Sequence, residues 1–128
     1  MMIPLVVLAI VASPYEGFLA GLIVGFLKLL LNAKIFGVLQ ALLDYPIAFG
    51  VLGISGAFHN IFIGTILACF LRFGIHVVSG LIYFKKSLLV SATINASHMV
   101  PETILTMIVL VYLHKKGILE RFKNITRN

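Results

Sequence analysis

The sequence predicts an all-α, multi-pass transmembrane helix bundle of five apolar segments. Three observations predict it. Hydrophobic residues make up 61% of the 128-residue chain, and the mean hydropathy is +1.14. Charged residues are only 11%, far below the roughly 25% of ordinary soluble domains. The apolar residues also fall in long runs divided by short polar turns, and a spanning helix needs about 20 of them. Four or five spans fill the chain, which leaves no room for a separate soluble domain.

The first segment, Ile3–Ser13, is about 16 Å long as a helix and stops at Pro14. It is read as a short first span, or the remainder of one, whose N-terminus must lie buried among neighbours. A cleaved signal peptide is the alternative, but the positively charged leading region is missing. The second segment, Glu16 to Leu31, carries Gly17, Gly21 and Gly25. These overlapping G-x-x-x-G steps make a flat stripe that lets another backbone come close. Asn32, Lys34 and Gly37 then predict a loop.

The third segment, Val38–Ala57, begins amphipathically with Gln40 and Asp44, passes Pro46, and ends with Gly50, Gly53 and Gly56. Pro46 removes a backbone hydrogen bond, which predicts a kink beside Asp44. His59 and Asn60 mark a tight turn. The fourth segment, Asn60–Phe84, holds Arg72, His76 and Gly80 on one stripe. Lys85, Lys86 and Ser87 turn the chain into the fifth segment, Leu88–Leu113. There Ser91, Asn95, His98 and Glu102 form a polar stripe expected to face the bundle interior, and Pro101 is expected to bend the helix.

The chain is therefore divided into a helix bundle, 1–113, and a basic tail, 114–128. The net charge is +6, and half of the ten Lys and Arg residues (Lys115, Lys116, Arg121, Lys123 and Arg127) lie in that tail. Beside a span this charge reads as a cytoplasmic anchor, not as a nucleic-acid surface. Lys34, Lys85 and Lys86 lie on the other side. The protein is expected in the cell membrane with its tail cytoplasmic. Cys69 is alone, so an internal disulfide or a cysteine metal site is excluded.

Two polar layers follow from depth. Asp44 is seven residues into its run, His76 eight from the end of its own, and Asn95 seven past the start of the last. At ~1.5 Å per residue all three lie ~9–12 Å below one face. Polar groups there are expensive and usually line a functional cavity. Asp44 beside a neutral imidazole and an amide is either protonated or awaits a cationic ligand, with Tyr45, Tyr83 and Phe84 as aromatic neighbours. Ordinary interhelical hydrogen bonding is the competing reading. Deeper, Arg72 and Glu102 fall at ~18–21 Å and read as a structural ion pair, with ion or proton coupling as the alternative. Spacing for a metal site is weak, limited to His98 and Glu102, and no nucleophile motif is present. Neither an enzyme nor a cofactor is predicted.

Leu43-Asp44-Tyr45-Pro46-Ile47-Ala48-Phe49 with Leu52-Gly53, then Arg72-Phe73-Gly74-Ile75-His76 with Gly80 and Phe84, then Asn95-Ala96-Ser97-His98-Met99-Val100-Pro101-Glu102, come in this order. The set resembles the thiamine-specific substrate-binding (S) subunits of energy-coupling factor (ECF) transporters. The resemblance implies a six-helix S-subunit fold, here lacking its first helix. It also implies capture of thiamine, or a related cationic heterocycle, from outside the cell. Transport would then need an ECF module, a transmembrane coupling protein with two ATPases. By the same resemblance Asp44 would offset the ligand's charge, Tyr45 would contact the hydroxyethyl end and His76 would lie against the thiazolium. Gly80 would allow close backbone approach, Phe84 would stack on the aminopyrimidine, and Asn95 would bond the pyrimidine edge. The chain departs from the family at Asp44 (usually Glu), Phe84 (usually Trp), Val90 (usually Tyr) and His98 (usually Tyr). An S subunit for another vitamin, or a small membrane scaffold or assembly protein without a ligand, are the alternatives.

Overall fold

The computed structural model describes residues 2–32, 37–85 and 87–126. Lys34, Lys86 and Arg127, counted above among the loop and tail charges, lie outside the described residues. The five apolar segments are helices: α1 Met2–Val11, α2 Pro14–Asn32, α3 Val38–Ala57, α4 Ile61–Tyr83 and α5 Leu88–Lys115. The last four are long and apolar enough to cross a membrane. A sixth helix, α6 Ile118–Thr126, forms within the segment read as a basic tail.

Local chemistry explains the helix starts. Ser13 Oγ accepts from the Glu16 amide at 3.1 Å and donates to the Glu16 carboxylate at 3.0 Å, with Pro14 at the first helical position of α2. Asn60 caps α4 by accepting from the amides of Phe62 and Ile63 at 3.0 and 3.3 Å. Ser87 caps α5 through the Val90 amide at 3.3 Å. Gly117, at φ +66°, closes α5 and turns the chain into α6.

Segment α3 is not a uniform helix. After an α-helical start at Val38–Leu42 it widens to a π-helical turn at Leu43–Ile47, returns to α at Ala48–Gly50, and tightens to 3₁₀ over Val51–Ala57. Pro46 is the cause of the widening, because it lacks the N–H of the ordinary ladder. The 3₁₀ repeat of three residues per turn eclipses positions three apart. It therefore lines up Gly50, Gly53 and Gly56 as one bare edge. That edge meets the glycine stripe of α2 and the end of α1. A side chain at Gly21 would strike the backbone of Phe49 and Gly50, one at Gly53 the backbone of Pro14 and Phe18, and one at Gly56 the carbonyl of Ala9.

Helix α1 packs by one broad face against α2, α3, α5 and α6, with Pro4 and Leu8 exposed on its other side. Met2, Leu5, Val6, Ala9, Ile10 and Val11 are buried. The core joins several of them to Phe49, Leu52, Ala68, Cys69, Leu110 and Leu119. Its ten residues reach about 15 Å, half a bilayer. The amide of Met2 ends against the Glu102 carboxylate at 3.0 Å, which satisfies a helix-start donor inside the bundle. Outward, Ile63, Phe70, Ile82, Leu89, Ile104 and Ile108 are exposed, as lipid-facing positions must be.

Candidate functional site: a polar cavity among three spans

Each polar side chain of the outer layer comes from a different span. Asp44 stands on the π-helical turn of α3, which rotates and widens the backbone just where the carboxylate projects. His76 Nδ1 lies 3.2 Å from Asp44 Oδ1 across the α3–α4 boundary. Gln40 Nε2, one turn earlier on α3 and only 2% exposed, donates to Asp44 Oδ2 at 2.6 Å. Both carboxylate oxygens are thereby engaged. Asn95 faces the same space from α5 and donates through Nδ2 to the Ser91 carbonyl at 2.9 Å.

The space they enclose is a cavity of about 110 Å³ walled by Asp44, His76, Gly80, Phe84, Ser91, Ile94 and Asn95. Gly80 and Ser91 set the separation of α4 and α5 at this depth. Ser91 Oγ donates to the Val77 carbonyl at 3.1 Å, and any side chain at Gly80 would collide with that hydroxyl. Tyr45 is half-buried and does not contribute to the wall; its backbone packs against Gly25 of α2. Ser79, three residues after His76 on α4, is fully buried within reach of the Asp44 carboxylate. A larger concavity, about 740 Å³, lies at the opposite end of the bundle between the α3–α4 turn and α6. It is wide and open, and shares no residue with the polar layer.

The deeper layer also assembles. Arg72 Nη1 lies 3.5 Å from Glu102 Oε2. Two further features there were not anticipated. The guanidinium of Arg72 sits over the Phe49 ring, with Cζ 4.4 Å from its centre, and Lys28 Nζ lies 4.9 Å from the same centre. One buried ring thus faces two cations, whose charges its π-electrons partly compensate. Lys28 carried a weak signal: it falls four residues before the end of α2, where a lysine ordinarily extends toward the headgroups.

One expectation is corrected. The stripe on α5 does not face inward along its whole length, because His98 is exposed. Ser91, Met99, Thr106 and Leu110 are the buried positions. At ~100° per residue His98 and Met99 lie more than a quarter turn apart, and the inward meridian follows Met99. Steps of four and three kept the polar residues near one another without showing which edge of that band meets α4.

Four apolar spans packed with a shorter apolar helix, with a small polar cavity among three of the spans, define a multi-pass helical membrane protein. The chain belongs to the thiamine transporter protein family, whose sequence profile matches residues 1–120. It is 30% identical to the thiamine transporter ThiT of Bacillus subtilis (strain 168) over 142 aligned residues, which span 88% of this chain and 72% of that protein. It is thus a membrane protein of a vitamin-uptake family.

Proposed function

We propose that this chain is the substrate-capture subunit of a vitamin importer and binds thiamine in the cavity of Asp44, His76 and Asn95. The observation that carries the reading is the Asp44–His76 contact across two spans, with Asn95 on a third. An acid, an imidazole and an amide meet in a low-dielectric layer, beside an aromatic ring, in a chain with few charges. A heteroaromatic cation answers each of them. The carboxylate offsets its charge, Phe84 stacks on its flat face, and Asn95 bonds its ring edge.

At about 110 Å³ the cavity is smaller than the roughly 300 Å³ at which ligand pockets begin. Entry of a two-ring vitamin therefore requires the site to open. The His76–Asp44 contact is the bond to release, since it closes the wall between α3 and α4. Tyr45, adjacent in sequence and outside the closed wall, meets the hydroxyethyl end once the site is open. The cavity faces the outside and the tail end faces the cytoplasm, in keeping with the excess of Lys and Arg there. Thiamine then passes inward through an ECF module, a transmembrane coupling protein with two ATPases. Arg72 and Glu102 hold the bundle together beneath the site.

Calorimetry on the purified chain, with thiamine compared against riboflavin and biotin, tests the reading. Asp44→Asn, which keeps the shape and removes the charge, should lose about 2–5 kcal/mol of thiamine binding, roughly 30- to 4,000-fold. Undiminished affinity, or tighter binding of an uncharged vitamin, would refute it.

A further inference from the structure

The C-terminal helix has a geometry that the binding site does not use. α6 lies across the end of the bundle, from the last turn of α5 to the last turn of α1, where Thr126 Oγ1 donates to the Val11 carbonyl at 3.0 Å. Its apolar residues Ile118, Leu119, Phe122 and Ile125 recur at helical spacing, and its remaining positions are mostly charged or polar. Only the first part of that face is covered. Leu119 is 1% exposed, whereas Phe122 is 49% and Ile125 71% exposed. Around them stand Lys115, Lys116 and Arg121, all exposed. Lys123 is answered by Glu120 at 3.4 Å.

Position decides what covers the open half. The helices α3, α4 and α5 all end or begin at this level, so α6 lies where hydrocarbon gives way to headgroups. A short helix with an apolar face and a basic surround at that depth is suited to the boundary itself. We propose that α6 is an interfacial anchor. Phe122 and Ile125 enter the acyl–headgroup boundary, and Lys115, Lys116 and Arg121 meet the headgroups of anionic phospholipids. The surplus of positive charge selects an anionic over a zwitterionic surface. This inference is independent of what the cavity binds.

The chain contains no tryptophan, so Phe122→Trp supplies a single indole. The full chain is placed in nanodiscs of zwitterionic lipid alone or with an anionic phospholipid. In anionic discs the indole should emit at shorter wavelength, be quenched by shallowly brominated acyl chains and resist acrylamide. High salt should weaken this, since screening shortens to about 3 Å at 1 M. Removing Lys115, Lys116 and Arg121 together as glutamines should lower the docked-to-undocked ratio about fivefold per charge. Equal acrylamide access in both lipids, or equal bromolipid quenching in both, overturns the proposal. So does reproduction of the anionic-disc signal by soluble glycerol phosphate in zwitterionic discs. If Phe122→Trp lowers the melting temperature, Ile125→Trp reports the same face with the same outcomes.

Discussion

Asp44 is held by Gln40 of its own helix, a contact that release of His76 leaves in place, so its carboxylate is oriented before any ligand arrives. Such preorganisation lowers the entropy lost on binding. The wall opposite depends on a missing side chain. Gly80→Ala would drive a methyl group into Ser91 Oγ and should destabilise the protein by about 1–3 kcal/mol. Ser91→Ala in the same chain should recover part of that loss, read as a non-additive melting shift in a double-mutant cycle.

Among the elements, α3 carries the most information per residue. Pro46 forces the π-helical turn that presents Asp44, and the glycines that follow let the rest of the span tighten and press against α2. At Pro46, where a kink is expected, the chain changes helix type. Because Gly21 meets backbone atoms of Phe49 and Gly50 rather than movable side chains, Gly21→Ala must push two helices apart. It should cost about 1–3 kcal/mol, visible as a lower melting temperature in detergent. The same change at Gly74, where an added Cβ meets nothing within 4 Å, should not destabilise the fold and serves as the control. The α5 stripe shows the limit of spacing as a guide. Ser91 and Asn95 reach the cavity, while His98, on the same nominal stripe, remains outside.

For the whole molecule, the decisive feature is that one carboxylate joins three helices: Glu102 of α5 accepts from the Met2 amide of α1 and lies against Arg72 of α4. Arg72→Leu should cost about 1–3 kcal/mol, because it removes a buried cation that faces both the Glu102 carboxylate and the Phe49 ring. The loss should appear as global unfolding rather than as a selective fall in ligand affinity. A selective fall in affinity with an unchanged melt would instead place Arg72 in the binding machinery. The two ends of the bundle are also chemically distinct. One holds the small polar cavity, the other the basic surface of α6.

Composition and the spacing of apolar runs determined that this protein is an all-helical membrane bundle. Lipid demands that every backbone group be satisfied within the protein, and continuous apolar runs of this length do so as helices. Residue order also placed Asp44, His76 and Asn95 at one depth, since helical rise turns counting into distance. Rotation about each helix axis was not legible, because it depends on which neighbour packs where. Only the tertiary structure decided that Gln40 joins Asp44, that Lys28 turns inward to Phe49, that His98 faces out, and that the basic tail folds into α6. Those outcomes rest on contacts between segments far apart in the chain, which no local period encodes.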